Sequence, residues 1–80
     1  MRILWDETKR VSNLKKHGLD FADLTIEFFD DAAIYSAKNK RFLAIGFWDG
    51  IISVVFSRLG TEAISVVSMR RASQKERNLL

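Results

Sequence analysis

The 80-residue sequence predicts an α+β domain with two N-terminal helices, an antiparallel sheet of three to four strands and a short C-terminal helix. Three observations predict it. Apolar residues in the first thirty positions recur at helical spacing. The runs "RFLAIGFW" and "IISVVFSR" have strand length and flank Asp49-Gly50, a strong hairpin signal because tight turns of this kind need positive φ. Near the end, Ser73 and Glu76 stand at the spacing of a capping box.

The elements follow in order. Asp6 is placed to cap a helix running to about His17, where Gly18 supplies the stop. Its apolar stripe is thin, consisting of Val11 and Leu14 with Leu4 and Trp5 at the entrance. Asp20 opens a second helix, with Asp23 in the place of a capping-box acid. Phe21, Leu24 and Phe28 fall on one face of it, widened by Ala22, Ile26 and Phe29, while Asp23, Glu27 and Asp30 take the opposite side. "AAIYSA" reads as a short strand. A two-residue Asp49-Gly50 loop pairs Trp48 with Ile51 and so sets the hairpin register. Leu43, Ile45 and Phe47 then share a face with Ile52, Val54 and Phe56, the face expected under the helices. Phe42, Ala44, Gly46 and Trp48 fall on the other side with Ile51, Ser53, Val55 and Ser57. Gly60 turns the chain into "EAISVVSM", and Ser73 starts the terminal helix. The expected order is α-α-β-β-β-β-α in a single domain over residues 1–80.

Composition narrows the chemistry. With no cysteine, disulfides, thiolate metal sites and cysteine nucleophiles are excluded. The charged opening "MRILWDETKR" is unlike a secretory signal and the apolar runs are too short for a membrane span, so a cytoplasmic location is expected. No P-loop, glycine-rich nucleotide loop, G-x-S-x-G or metal-ligand spacing is present, and no cofactor or metal is expected. Net charge is +3, but it is segregated. Asp20 to Asp31 holds five acids and no base, whereas Met1 to His17 and the tail are basic.

Several cations are candidates for a site. The hairpin register sets Arg41 opposite Arg58, a like-charge pair that an anion would relieve or that splays into water. Arg70 shares a strand face with Ser68 near the sheet end, and Arg70 and Arg71 precede the capping box without being needed for it. Arg77 lies within the terminal helix. His17, the only histidine, suits proton transfer, or is an ordinary cation at a helix C-terminus. Lys9 and Lys16 form either part of a site or a solvated helix face. RNA cleavage is compatible with such a set, because RNA brings its own 2′-hydroxyl nucleophile. The protein then need supply only cations for the phosphorane and groups that move protons.

The stretch "WDETKRVSNLKKHGLDF" resembles the opening of the BrnT family of bacterial toxins, through Trp5, Asp6, Lys9, Asn13, Lys16, His17, Gly18 and Phe21. "AIGFWDGIISVVFSRLG" and "SMRRASQKER" are similar to the family's middle and end, so the resemblance runs nearly end to end. It implies a RelE-like fold and a metal-independent ribonuclease that arrests growth as the toxin of a type II toxin–antitoxin pair. It also implies an antitoxin partner of the BrnA type with a ribbon-helix-helix part, so that DNA is touched only through the antitoxin. On this resemblance Arg58 and Arg70 bind the scissile phosphate, Lys9 or His17 moves protons, and Arg41, Arg71, Lys16 and Arg77 contact RNA. The antitoxin is expected to cover this basic face. The chain departs from the family pattern at Lys40, where an acid is usual, around Ser65, where an arginine is usual, and after Arg77, where a tyrosine often follows. Those departures imply the alternative of a weakened homologue that binds antitoxin or RNA without turnover.

Overall fold

The structure is a computed structural model describing Met1–Leu80. The chain runs β1 (Arg2–Trp5), α1 (Glu7–His17), a single 3₁₀ turn (Phe21–Asp23), α2 (Ile26–Asp31), β2 (Ala33–Ser36), β3 (Arg41–Phe47), β4 (Ile51–Leu59), β5 (Ala63–Arg71) and α3 (Gln74–Arg77). The α+β class holds, but the sheet has five strands in the order β1-β5-β4-β3-β2. It is mixed rather than antiparallel, because β1 pairs with β5 in parallel, from Arg2 opposite Ala63 to Trp5 opposite Val66. "RILW" is too short to announce itself as a strand, and its partner is some sixty residues away.

Asp6 caps α1 through Thr8 N, and Gly18 ends it at φ 70° with its amide on the Leu14 carbonyl. The face turned inward is not the expected Val11 and Leu14, which stay 38% and 37% exposed. Instead Arg10, Asn13 and His17 face the protein, and Asn13 is buried. Asn13 Nδ2 donates to the carbonyls of Met69 (2.8 Å) and Leu19 (3.2 Å), and Met69 N donates back to Asn13 Oδ1 at 3.1 Å. The amide thus takes the place a strand would occupy on β5 just beyond the end of β1. Arg10 donates to Asp20 at 3.1 and 3.2 Å and also bonds Glu7, tying α1 to the 3₁₀ turn.

The expected second helix is broken in two. Asp20 caps only the 3₁₀ turn, Leu24 is extended, and the Thr25 hydroxyl accepts from Phe28 N to start α2 afresh. Thr25 and Ile26, both β-branched, favour that break, and a threonine hydroxyl competes for the backbone at a cap. Phe21, Leu24 and Phe28 nevertheless all enter the core.

The hairpin register differs from the expected one by a single residue. The loop has three residues, Trp48 to Gly50, with Trp48 N on the Gly50 carbonyl at 2.8 Å, so Phe47 faces Ile51, Ala44 faces Val54 and Phe42 faces Phe56. A one-residue slip exchanges the faces of a strand. Phe42, Ala44 and Gly46 therefore lie under the helices with Ile52, Val54 and Phe56. Leu43 and Ile45 lie on the far side with Ser53 and Val55. The reason is steric. A Cβ on Gly46 would come within 3.0 Å of Phe28 and 3.2 Å of the Ala32 methyl, so α2 needs a glycine beneath it at this position. Phe28, Phe29, Phe56 and Phe42 form a continuous aromatic run, with centroid spacings of 5.2, 5.3 and 5.7 Å.

Replacing Asn13 by alanine leaves the Leu19 and Met69 groups without their partner in a buried setting. We expect a loss of about 2–3 kcal/mol in unfolding free energy, read by urea denaturation. A loss below about 0.5 kcal/mol would show that α1 docks without this amide.

Candidate functional site

The elements above divide the candidate cations into separate places. Arg41 faces Ser57 and not Arg58, because of the one-residue shift in register. Arg58 points to the helix-covered face, where its guanidinium lies 4.7 Å over the Phe42 ring. Arg41 and Arg70, the latter opposite Ser53, are on the other face. The shared Arg58–Arg70 phosphate site, with Arg41 beside it, is therefore not assembled, since a five-stranded sheet separates the two guanidiniums.

Three of the arginines already have structural partners. Arg70 forms a two-pronged pair with Glu76, Nη1 to Oε1 and Nη2 to Oε2, both at 2.7 Å. Glu76 Oε1 also accepts from Ser53 Oγ and from Ser73 N at 2.9 Å, so the capping box of α3 is welded to the sheet. Arg71 bonds the Asp49 carbonyl and pairs with its carboxylate at 3.6 Å, which fixes the hairpin tip. Arg77 donates to Gln74 Oε1 at 2.6 Å within α3. The C-terminal helix is further held by Tyr35, whose hydroxyl donates to the Leu79 carbonyl at 2.9 Å.

Three candidate cations without a carboxylate partner gather elsewhere. An open cleft of about 360 Å³ between α1 and β5 is lined by Lys9, Lys16 and His17 together with Ser12, Asn13 and Ser68. Helical spacing explains the grouping. Lys9, Lys16 and His17 lie four before, three after and four after Asn13, so the residue that docks the helix carries all three to the same place. On the strand side Val67 is the extra residue of a β-bulge between Val66 and Ser68, which bends β5 where the cleft opens. Neither lysine has a carboxylate partner, and His17 is half-buried with no hydrogen bond to its imidazole. Arg70 lies two residues from Ser68 on the same strand face. Thus the structure unites Lys9, Lys16 and His17, leaves Arg70 two residues along β5 from Ser68 and paired with Glu76, and keeps Arg41, Arg58, Arg71 and Arg77 apart. Residues missed by sequence reasoning are Asn13 as the docking group, and Ser12 and Ser68 as hydroxyls in the cleft. The spacing of Asn13 from the lysines is a signal in the sequence, but its partner Met69 is 56 residues away.

No cluster of three or more His, Asp or Glu side chains comes together in a way that holds a metal ion. No helix is long and apolar enough to cross a membrane.

The Glu76 carboxyl is held down to about 2, first by its bonds from Arg70 and then by the Ser73 amide and the Ser53 hydroxyl, against the opposing effect of burial. A carboxyl lowered on folding stabilises the protein above its ordinary value of 4.5 and loses that contribution as pH falls toward 2. Arg70 is correspondingly raised by Glu76. We expect Glu76→Gln to weaken attachment of α3 at neutral pH and to flatten the acid limb of the stability curve. Thermal melts from pH 7 to pH 2 check this, and an unchanged acid limb would assign it to other carboxylates.

Residues 5–76 match the family model described as the ribonuclease toxin, BrnT, of type II toxin–antitoxin systems. Among solved structures the chain is similar to the Brucella abortus ribonuclease toxin BrnT, whose crystal structure extends to 1.1 Å. Identity is 54%, the match covers 92% of this chain and 99% of that one, and the TM-score is 0.87. No curated protein matches the chain.

Proposed function

The chain belongs to the BrnT family of ribonuclease toxins from type II toxin–antitoxin systems, and from that premise we propose that RNA is cleaved in the cleft between α1 and β5. One observation carries this placement: Lys9, Lys16 and His17, all without carboxylate partners, converge on one open cleft. An RNA phosphate seated there meets two ammonium groups and the Ser12 and Ser68 hydroxyls. The 2′-hydroxyl attacks the adjacent phosphorus, the bond from phosphorus to the 5′-oxygen breaks, and the products are a 2′,3′-cyclic phosphate and a 5′-hydroxyl. His17 removes the 2′ proton or delivers one to the leaving oxygen, and a lysine completes the exchange. Lys9 and Lys16 stabilise the charge that builds on the phosphorane oxygens. The reaction needs no metal, because the cations are the protein's own.

Arg70 supports the cleft from the neighbouring strand position, but its guanidinium is engaged with Glu76, so we assign it a positioning role. Arg41, exposed beside Lys38 and Lys40, suits contact with RNA phosphates away from the reacting centre, as does Arg58 on the other face. A type II system supplies an antitoxin. We take it to be of the ribbon-helix-helix, BrnA-like kind, touching DNA on behalf of the complex, and the pair to act in the cytoplasm. The RelE-like character of the fold belongs to the same reading, supported by the resemblance.

Purified protein should cleave single-stranded RNA in excess EDTA to cyclic-phosphate ends. His17→Ala should lose about 10²–10⁴-fold in rate. Lys9→Ala and Lys16→Ala should each reduce it by about tenfold or more and flatten its dependence on salt. Undiminished cleavage by all three variants, with native melting temperatures, would remove the reaction from this cleft.

A further inference from the structure

We propose that a second cleft, at the tip of the β3–β4 hairpin, docks a cationic segment of the antitoxin anchored by an apolar side chain, on a surface separate from the RNA-facing cleft. The proposal rests on the toxin–antitoxin reading above. The cleft measures about 290 Å³ and lies between the hairpin tip and the 3₁₀ turn and α2. Its apolar wall is Leu24, Phe28, Phe47 and Trp48, and its rim is Asp23, Glu27 and Asp31.

Two independent features set this place apart. The first is aromatic exposure. Phe47 is 73% and Trp48 40% exposed, adjacent in the chain and beside a concavity, which is the kind of surface that partners cover. The second is charge. The ion pairs of the molecule use Glu7, Asp20, Asp49 and Glu76, so none of the three rim acids is compensated. Such a rim repels RNA phosphates and attracts Lys or Arg, and a cation at the lip gains further from the face of Trp48. The cleft is also built in advance. Arg71 pins the hairpin tip through the Asp49 carbonyl and carboxylate, and Gly46 lets α2 sit directly against β3.

Charge complementarity alone would also admit the lysine-rich α1 of a second copy. That contact would be head-to-tail, joining two different surfaces, and would build a ring or an open filament. The toxin–antitoxin system supplies a different chain as the occupant, and a wild-type toxin that stays monomeric alone separates the two.

The test is titration of the purified cognate antitoxin into wild type and variants by calorimetry, with light scattering of the toxin alone. The Asp23→Lys/Glu27→Lys double variant should bind about tenfold more weakly or worse. Trp48→Ala should bind about thirtyfold more weakly. Asp23→Asn/Glu27→Gln, which keeps the shape, should reduce the salt dependence of the affinity. RNA cleavage by the free variants should stay within about twofold of wild type. Affinities of both charge variants within about twofold of wild type, at native melting temperature, would overturn the proposal, whatever Trp48→Ala does to the hairpin. Self-association of wild-type toxin that the double variant abolishes would overturn it in favour of a second copy. The affinity arm does not depend on catalysis. If the wild type cleaves no RNA, the function proposed above fails while the docking result still decides this one.

Discussion

One buried amide organises this molecule. The parallel strand β1 ends at Trp5 opposite Val66, and the next open backbone groups on β5 belong to Met69. Buried backbone groups need partners, and no strand is left to provide them. Asn13 does so from the side of a helix, because its amide carries a donor and an acceptor in the same relation as a peptide group. The rotation of α1 about its axis is then settled. Lys9, Lys16 and His17 are turned to the bulged stretch of β5, and Val11 and Leu14 are turned out. A helix docked by its thin apolar stripe instead would have faced the other way, with its lysines dispersed in solvent.

The second constraint is the close approach of α2 to β3. Phe28 and Ala32 rest on Gly46, and the aromatic run from Phe28 to Phe42 fills the space beyond. Because Gly46 must lie under the helix, alternation sends Leu43 and Ile45 to the opposite face. There Ile45 is fully buried, Ser53 bonds Glu76, and the C-terminal segment is fastened. Both faces of the sheet are thus occupied, which is how a domain of this size buries enough surface to hold together.

Charge follows from the same division. Arginines have been used as ties: Arg10 to Asp20, Arg70 to Glu76 and Arg71 to Asp49. Their planar forks suit fixed, two-pronged pairing. The lysines of α1 are left unpaired, and a flexible ammonium that has no partner is available to a ligand. The acids of α2 are likewise unpaired, on a different part of the surface. The molecule therefore shows one cationic and one anionic recess.

The α+β class, the caps at Asp6 and Ser73, the stop at Gly18 and the turn at Gly50 were all legible in the residues, since each depends on neighbours within a few positions. The sequence also brought out the family through the spacing around Trp5, Lys9, Asn13 and His17. It named every residue that now lines the basic cleft except Thr8, Ser12 and Val67. The rest depended on contacts between distant parts of the chain. β1 has no identity without a partner sixty residues on, and Asn13 looks like any polar helix residue until Met69 is beside it. The hairpin register could not be read from apolar size, because what decided it was the room α2 required over Gly46. That single-residue shift placed Arg41 and Arg58 on opposite faces, and the pairing of β4 with β5 separated Arg58 from Arg70. The placement of whole elements decided which of the cations face one another: Arg71 reaches the hairpin tip and Arg10 the 3₁₀ turn only once those elements are packed.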